Sequence, residues 1–449
     1  MFKEASCPTF SGADRSTSRN PQRYVAAGRE TRAPGGRANR LGFDYEAYVP
    51  GEIAAWEPEV PAALATDAGR VETAVRDLAR HDPPLGDLLW PLLRSEAIAS
   101  SRIEGLVVSH HRLALADLGD ADDPLARSVL GNLEALRRAL DLSATPLTVE
   151  AIQEIHRALL ENTPHAAIAG RDSNAGVGSP PGGSRRGIHA ALNRRRLGLR
   201  TSQNWIGGRH PNPRGAAFVP PPESEVPRLL EDLCRFCERD DVPPSIQAAI
   251  AHVQFETIHP FDDGNGRVGR ALIHVVQRRR GLTDPRAGLT PVFPPVSLVL
   301  AADSDAYVAG LSAFRSGEHR QWLEFFLSAL HRSVGVAGDI ADGVAALQER
   351  WRAQAGGPRR DSAAAELIAR LPERPVIDLG TAAALTGTSR EATRRAIDRL
   401  VAAGVLRELT GKRRLRRWEA VGLFAVLDEA DARVRGPRGR RLATVGPGT

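Results

Sequence analysis

A short stretch, IHPFDDGNGRVGR (258–270), combines side chains that are suited to phosphate chemistry. Gly264 and Gly266 favour a tight turn whose amide N–H groups point the same way, and the apolar spacing after them predicts a helix that begins at the turn. A helix N-terminus binds anions, because its first amides lack partners and carry partial positive charge. Arg267 and Arg270 share one face of that helix and could reach two phosphates of one nucleotide.

Two more residues of this stretch are candidates for binding a metal ion and moving a proton. Asp263 lies beside the predicted phosphate site and offers the hard oxygen that Mg²⁺ prefers. His259 is the nearby group that takes up a proton near neutral pH. A lone histidine is usually structural, and two arginines alone could be a solvated face. The Gly-Asn-Gly turn between them favours the phosphate-binding interpretation.

The chain is basic, but the charge is unevenly distributed. Its 449 residues allow about three domains and have a net charge of +6. The excess of basic residues lies in 1–40, 171–200, 389–417 and 433–441, which leaves the rest of the chain, including the phosphate-binding stretch, net negative. Basicity confined to such segments is weak evidence for nucleic-acid binding by itself.

Apolar segments and cysteines indicate the compartment. No apolar run is long enough to span a bilayer, and residues 1–40 lack the apolar core of a signal peptide, so we expect a cytoplasmic protein without a membrane partner. Cys7, Cys234 and Cys237 are too few for a disulfide framework, in agreement with a reducing compartment. Cys234 and Cys237 form a C-x-x-C inside an amphipathic run without a second pair, and we interpret them as ordinary helix residues.

Composition and periodicity predict the domain organisation. Most of the chain has the three- and four-residue apolar spacing of helices, interrupted by segments rich in Gly, Pro, Ser or Arg. The predicted segments are a disordered basic tail (1–40), an N-terminal helical region (41–145), a core around the phosphate-binding stretch (146–335) with a mobile insertion (170–200), a helix and linker (336–361), a second domain (362–427) and a basic tail (428–449).

Two smaller motifs accompany the helices. NWIGGRHPNPRGAAFVPPP is typical of a β-hairpin with short strands near Trp205 and Phe218. Residues 362–427 have three helical patterns followed by an alternating pair of strands, the layout of a winged helix-turn-helix. Its candidate DNA contacts are Arg394, Arg395, Arg399, Arg413 and Arg414. Such arginines also solvate helices, and winged helices also serve as protein docking modules.

These motifs together resemble one family. HPFDDGNGR followed by Arg270 resembles the Fic-domain signature, His-x-Phe-x-Asp/Glu-Gly-Asn-Gly-Arg-x-x-Arg, at every specified position. NWIGG and FVPPP are similar to the flap hairpin of that family, and SSRIEG resembles its inhibitory motif through Ser100, Glu104 and Gly105. The resemblance extends over roughly residues 45–335. It implies an all-α Fic core with a small β-hairpin flap, to which the chain adds a C-terminal winged helix.

Most Fic proteins transfer AMP from ATP to a Ser, Thr or Tyr hydroxyl of a protein, so the resemblance implies an adenylyltransferase that uses ATP and Mg²⁺. The roles it implies are general base for His259, Mg²⁺ ligand for Asp263, anion hole for Gly264, Asn265 and Gly266, β-phosphate contact for Arg267, γ-phosphate contact for Arg270 and loop anchor for Phe261. These assignments agree with the phosphate chemistry that the residue types themselves indicate.

The resemblance also implies a docking site and a brake. The flap would bind an extended target peptide by β-augmentation, through Trp205, Ile206, Gly207, Phe218 and Val219. The Glu104 carboxylate would pair with Arg270 and so deprive the γ-phosphate of its partner. We therefore expect an autoinhibited enzyme.

The chain departs from its relatives at two places. Residues 170–200 lie between the HRALL helix and the flap, and Tyr307 stands alone where relatives often have two tyrosines near the nucleotide. Three alternatives stay open: transfer of another phosphate-containing group, removal of AMP, and a DNA-binding transcriptional regulator whose Fic domain senses nucleotide. Self-modification and a homodimer are further options that the sequence does not decide.

Overall fold

The structure, a computed structural model, describes residues 23–26, 45–79, 88–119, 123–161, 197–207, 213, 215–283, 293–410 and 415–436. These residues are mostly helical, with two small antiparallel sheets. Two hydrophobic cores lie along the chain, one around the phosphate-binding stretch and one in the C-terminal part.

The described residues of the N-terminal region form one sheet and five helices. Strand β1 (Arg23–Ala26) pairs antiparallel with β2 (Glu46–Val49). The helices that follow are α1 (Ala62–Ala79), α2 (Leu89–Ile103), α3 (His110–Asp117), α4 (Pro124–Leu142) and α5 (Val149–Glu161). Strand β1 lies within the segment for which composition predicts disorder. The prediction missed this strand because local composition does not reveal pairing with a distant strand. The rest of that tail lies outside the described residues.

Helix caps explain where two of these helices begin. The Ser109 hydroxyl accepts a hydrogen bond from the Arg112 amide at the start of α3, at 3.3 Å. The Asp123 carboxylate does the same for the Ala126 amide of α4, at 3.0 Å, and Pro124 occupies the first helical position. These caps fix the helices that surround the central pair described next.

The first core is built around a pair of buried helices. After α6 (Val226–Cys237), the chain forms α7 (Pro244–Ile258) and α8 (Asn265–Arg279), which pack against each other. Every residue of α7 after its first is buried, so this helix is enclosed by its neighbours on all sides. The turn between α7 and α8 is the phosphate-binding stretch, which the core therefore holds from both sides.

One long helix joins the two cores. The short helices α9 (Val296–Ala302) and α10 (Ser304–Arg315) lead into α11 (His319–Gln354), which has 36 residues and is about 54 Å long. Trp322 packs in the first core and Trp351 in the second. The domain boundary predicted at residue 335 thus falls in the middle of a continuous helix, whose apolar stripe serves two cores in turn.

The C-terminal module spans residues 363–435, and its residues outside 411–414 form four helices and a three-stranded sheet. Its elements are α12 (Ala363–Arg370), β3 (Val376–Asp378), α13 (Leu379–Thr386), α14 (Arg390–Ala402), β4 (Leu406–Glu408), β5 (Arg417–Ala420) and α15 (Leu423–Arg435). The sheet has the order β3-β5-β4, and both pairings are antiparallel.

The prediction of a basic tail from residue 428 is wrong over its first part. Residues up to Arg435 belong to α15, and Leu427, Ala430 and Val434 on one face of it are buried. Helix α15 contacts α2, α3, α9 and α11. Its apolar spacing was a usable signal, but the surrounding arginines dominated the composition.

Within the described ranges, no single helix is long and apolar enough to span a membrane. Helices α9 and α10, which are bent by 99° relative to each other, reach that length and apolarity only when they are counted together.

Candidate active site

The loop between α7 and α8 begins with a residue in an unusual conformation. His259 ends α7 in the left-handed region, at φ 50° and ψ 60°, and its amide donates to the Phe255 carbonyl at 2.9 Å. Residues with a Cβ rarely adopt this conformation, which costs on the order of 1 kcal/mol or more. The surroundings must therefore hold His259 in place.

Side chains on three elements fix the rest of the loop. The Phe261 amide donates to Asn265 Oδ1 at 2.9 Å, and Asn265 Nδ2 donates back to the Phe261 carbonyl at 2.7 Å. The buried Phe261 ring stacks on His156 of α5, with centroids 3.8 Å apart. His156 Nε2 lies 3.0 Å from the Asp263 carbonyl. The Asn265 side chain thus stabilises the loop, while its backbone amide at the start of α8 can bind an anion.

The start of α8 requires glycine. Gly264 has φ 85°, and a Cβ there would lie 2.6 Å from Leu159 Cδ2. The Val268 amide makes the first bond of the helix, to the Gly264 carbonyl at 3.0 Å. The amides of Asn265, Gly266 and Arg267 precede it and lie at the positively polarised helix end. This geometry is an anion site.

A carboxylate at the C-terminal end of α2 lies beside this anion site. Arg270 is 1% exposed and donates from Nε to Ser100 Oγ at 2.9 Å, from Nη2 to the Ser100 carbonyl at 2.8 Å and from Nη2 to Glu104 Oε1 at 2.9 Å. A Cβ on Gly266 would lie 2.0 Å from Glu104 Oε1. The carboxylate therefore lies directly against the first turn of α8. Gly105, at φ 71°, ends α2 just after it.

The charges of the site stabilise this arrangement. Burial would raise the pKa of Glu104, but Arg270 and Arg267 more than offset it and hold that pKa below its usual range. Burial acts against the charge of Arg270 as well, yet the Glu104 carboxylate raises the pKa of that guanidinium. Both groups are ionised at neutral pH, so the contact is an ion pair at the end of a helix dipole.

Burial and nearby cations keep His259 neutral. Burial is the largest cause, and Arg200 and Arg315 add to it, so that the pKa of His259 falls to about 4. A neutral imidazole has a free nitrogen that can accept a proton. His259 is thus in the form that a general base requires at every pH above about 5.

Asp263 fits an Mg²⁺ ion that shares its ligands with phosphates. Its carboxylate lies 3.3 Å from Arg267 Nη2, and the side chain is about one-third exposed, at 32%. Within the described ranges, no three His, Cys, Asp or Glu side chains come together as a metal site. Mg²⁺ usually takes one or two carboxylates and completes its shell with phosphate oxygens and water, so a single carboxylate at this place suffices.

Comparison with known families agrees with this geometry. Residues 146–276, from just before α5 to α8, match the Fic/DOC family, and residues 70–141, from α1 to α4, match the Fic/DOC family N-terminal region. The chain thus contains a Fic domain over residues 146–276. The matches include the helix that carries Glu104 and the loop that carries His259.

Two curated relatives share part of the Fic domain. A probable protein adenylyltransferase of Aquifex aeolicus is 41% identical over 69 residues, which are 15% of this chain and 22% of that protein. The protein adenylyltransferase Fic-1 of Caenorhabditis elegans is 26% identical over 153 residues, which are 32% of this chain and 26% of that protein. The chain thus spans about a quarter of the length of these relatives.

A solved structure was also similar. A Fic family protein from Desulfovibrio desulfuricans G20 superposes with a TM-score of 0.46 at 19% identity, covering 82% of this chain and 98% of that one. At this TM-score the likeness adds nothing to the family match.

Arg200 of the Fic domain is not among the predicted site residues, because its sequence context predicts the end of a mobile insertion. It is 3% exposed. Its Nε donates to the His259 carbonyl at 2.9 Å, its Nη1 to the Ser202 carbonyl at 3.2 Å and its Nη2 to the Pro221 carbonyl. Its amide donates to the Pro260 carbonyl at 2.9 Å. The insertion prediction is therefore wrong at its C-terminal end, and residues 170–196 of it lie outside the described residues.

The flap of the Fic domain is shorter than predicted. Ile206 and Phe218 form one antiparallel bridge, in which the Ile206 amide donates to the Phe218 carbonyl at 2.8 Å. Longer strands are not formed by the described residues of this segment, since Gly207, at φ 73°, turns the chain at once. The Val219 carbonyl accepts from the Tyr48 amide at 2.9 Å, so β2 already occupies one edge of the flap. Trp205 directly precedes the bridge.

Glu256 and Tyr307 are two further buried groups beside the site. Burial raises the pKa of the Glu256 carboxyl to about 7, against the opposing effect of Arg270. Tyr307 is 3% exposed, and its hydroxyl lies 2.8 Å from His252 Nε2. A glutamate inside an otherwise fully buried helix was a signal that sequence reasoning could have used.

The paired cysteines of α6 agree with the interpretation as helix residues. Both side chains are buried. Burial raises the pKa of the Cys234 thiol to about 12 and that of Cys237 still further. Thiols that stay protonated are poor metal ligands and poor nucleophiles.

The arginines predicted to contact DNA differ in their exposure and their contacts. Arg394 and Arg395 lie exposed on α14, where Arg395 pairs with Glu391 at 3.0 Å. Arg399 instead donates through Nε to the Ala355 carbonyl at 3.2 Å, at the C-terminal end of α11. The prediction that Arg399 is free for DNA is therefore not supported, because its guanidinium caps a helix. Arg413 and Arg414 lie outside the described residues.

Proposed function

We propose that this chain is an autoinhibited protein adenylyltransferase that transfers AMP from ATP to a Ser, Thr or Tyr hydroxyl of a protein, which could be a second copy of itself. The observation that carries the proposal is a neutral His259 in the loop before a helix N-terminus, with the Glu104 carboxylate beside that helix end and paired with Arg270. The names of the curated relatives support the transferred group.

In the proposed reaction His259 is the general base. Its neutral imidazole accepts the proton of the target hydroxyl, whose oxygen forms a bond to the α-phosphorus of ATP while the bond from that phosphorus to the pyrophosphate oxygen breaks. The α8 amides and the guanidinium groups of Arg267 and Arg270 bind the phosphates and stabilise the charge that the leaving pyrophosphate gains.

The proposed Mg²⁺ ion would be held by Asp263 together with phosphate oxygens. When bound, it would neutralise phosphate charge. Arg267, which now lies 3.3 Å from the Asp263 carboxylate, would then be free to turn toward a phosphate.

In the proposed inhibition, Glu104 acts through both the volume and the charge of its carboxylate. The Glu104 carboxylate fills the position beside Gly266 and takes the guanidinium of Arg270. A phosphate placed there would meet both a steric clash and a like charge. ATP would therefore bind without the γ-phosphate contact that aligns the α-phosphorus with His259.

The experiment that tests the transferred group uses two labels of ATP. The Glu104→Gly protein is incubated with Mg²⁺ and a lysate of the source cell, with ATP labelled at either the α- or the γ-phosphorus. We expect the α label on protein and the γ label in released pyrophosphate. Protein that carries only the γ label would show phosphate transfer instead.

Arg200 is expected to position His259 for this reaction. In the Glu104→Gly background, Arg200→Gln should lower kcat on the order of a hundredfold, because the buried guanidinium holds the strained His259 backbone to the base of the flap. Without this cation the pKa of His259 rises from about 4, so the acid limb of the kcat–pH profile should move to higher pH.

Two variants separate geometry from charge. Arg200→Lys keeps the cation but cannot make the forked contacts, so kcat should fall while the acid limb stays near its original pH. Arg228→Gln removes a half-exposed arginine elsewhere in the domain and should change neither. An Arg200→Gln enzyme with an unchanged acid limb would reduce Arg200 to a purely structural residue.

For the flap we propose that an extended target segment lies along the Ile206–Phe218 bridge. The guanidinium of Arg315 stacks on the Phe218 ring at 3.8 Å, which stiffens the bridge. Since β2 takes the carbonyl of Val219, the target would pair with the Ile206 side.

We also propose that the C-terminal module is a winged helix, a second candidate site that could bind DNA. The order of its first six elements (helix, strand, helix, helix, strand, strand) and the sheet order β3-β5-β4 support it. The exposed Arg394 and Arg395 on its third helix support a contact with phosphates or bases.

A gel-shift series tests this site. We expect the full chain to shift duplex DNA with an affinity that falls steeply as salt increases, and Arg394→Ala to weaken it with a salt slope smaller by about one. Arg359→Ala is the matched control, since this arginine is 88% exposed and lies outside the module's third helix. No shift at low salt, or equal weakening by both variants, would count against DNA binding.

A further inference from the structure

Helix α2 is held from two opposite sides at the turn that carries Glu104. Ser100 and Glu104 are one helical turn apart and contact Arg270 of α8. Arg102, between them in sequence, points to α15, where it makes a two-pronged ion pair with Asp431, from Nη1 to Oδ1 at 2.8 Å and from Nη2 to Oδ2 at 2.7 Å. Asp431 is 4% exposed. The C-terminal module thus contacts the inhibitory turn directly.

A second polar cluster joins the beginning of α2 to the same module. Arg94, which is buried, donates to Asp117 of α3 at 2.6 Å and also to the Glu373 carbonyl in the loop before β3. Arg374 of that loop pairs with the same Asp117 at 2.7 Å. The module therefore contacts α2 in its first half, at Arg94, as well as at its last turn.

Helix α3 adds two contacts next to this cluster. His110 Nδ1 lies 2.8 Å from an Asp428 oxygen of α15, and His111 Nε2 lies 3.2 Å from a Glu419 oxygen of β5. Helix α3 follows the inhibitory motif closely in the chain. Its position therefore also depends on the module.

Apolar packing follows the same pattern. Leu92 of α2 belongs to the C-terminal core, together with Leu423 and Leu427 of α15. Leu93 and Ile98, on another face of α2, belong to the core of the Fic domain. The inhibitory helix is thus shared between two cores, and its position depends on how they sit together.

We propose that the C-terminal module stabilises the inhibited state. It holds the last turn of α2 against α8, and displacement of the module releases Glu104 from Arg270. This inference rests on the proposed function, since it assigns the regulation of the same site. It gives the module a role whether its outer face binds DNA or another macromolecule.

The last turn of α2 also contacts the Fic core, since Asn132 Nδ2 of α4 donates to Ser101 Oγ at 3.1 Å. Just beyond the helix, the Gly105 amide donates to the Arg102 carbonyl at 2.7 Å and the Leu106 amide to the Ser101 carbonyl at 2.9 Å. Removing the charge of Asp431 leaves the guanidinium of Arg102 without its carboxylate in a largely buried place. The turn is then expected to open more often.

Hydrogen exchange of the full chain tests this coupling without any activity. Asp431→Asn should speed exchange of the Gly105 and Leu106 amides several-fold. The matched control is Asp339→Asn. It breaks the exposed pair between Arg433 of the same α15 and Asp339 of α11. We expect the control to exchange like wild type at these amides. Equal exchange in Asp431→Asn and the control would overturn the proposal.

A charge swap shows whether the pair itself is responsible. Arg102→Asp and Asp431→Arg should each speed exchange, and the double variant should return it most of the way to wild type. If the double variant exchanges as fast as the faster single variant, the pair is not the link and the proposal fails.

AMP transfer shows whether the coupling reaches the brake. Asp431→Asn should raise transfer about three- to tenfold in the wild-type background and not at all in the Glu104→Gly background, where no brake remains. Faster exchange without faster transfer, in a protein that Glu104→Gly does activate, would overturn the regulatory role. If Glu104→Gly transfers nothing either, the proposed function fails, and the exchange and charge-swap results alone decide the coupling.

Discussion

Glu104→Gly is expected to raise AMP transfer at least about tenfold, the effect of roughly 1.4 kcal/mol of lost inhibition. The Glu104 carboxylate lies against Gly266 and pairs with a guanidinium that is 1% exposed, so its removal frees both the space and the partner of the γ-phosphate. The measurement is the initial rate of α-label incorporation from Mg-ATP into protein.

Two variants control for side effects of this change. Glu104→Gln keeps the size of the side chain and loses the charge, so it should activate less than glycine, because steric exclusion remains. Glu134→Gln removes a carboxylate from the half-exposed Glu134–Arg137 pair of α4 and should leave the rate unchanged. Transfer by Glu104→Gly no faster than by wild type would remove the brake from the account.

His259→Ala, made in the Glu104→Gly background, is expected to lower transfer by about two to four orders of magnitude. The imidazole is neutral, with a pKa of about 4, and can accept the hydroxyl proton. Binding of Mg-ATP should change little, since the phosphate contacts come from α8. The measurements are the single-turnover rate and the ATP dissociation constant.

The control for this loss is His331→Ala, which removes an exposed histidine from α11. It should transfer at the parent rate. A His259→Ala protein that keeps most of its rate, or one that loses ATP binding in parallel, would contradict the role of general base.

The chemistry of the site could be predicted from local sequence. The loop from His259 to Arg270 is a continuous stretch whose glycines, amides and arginines act within one turn and one helix. Its pairing with Glu104 was expected only through the resemblance to the Fic family, because 166 residues separate Glu104 from Arg270. No periodicity in the sequence connects positions that far apart.

What the sequence did not reveal depends on long-range contacts. Arg200 follows a Gly- and Arg-rich segment, so its composition predicts an exposed residue, while its contacts lie with His259 and Pro221 across the fold. The left-handed conformation of His259 has no sequence signal at all, since it is imposed by these surroundings.

The C-terminal part illustrates how composition can mislead. The arginines after residue 432 predict a tail, yet the apolar face of α15 packs on α2 and α11. In the same way a domain boundary at 335 ignores the uninterrupted apolar stripe of α11. Where both signals are present, the periodicity of apolar residues was the better guide.

The most direct test of the central claim is the intact mass of three proteins after incubation with Mg-ATP and a lysate of the source cell: wild type, Glu104→Gly and Glu104→Gly/His259→Ala. The account predicts a mass increment of one AMP on the chain or on a lysate protein. The increment should be larger with Glu104→Gly than with wild type and lost in the double variant. An AMP increment that persists without His259, or no increment with Glu104→Gly, would contradict it.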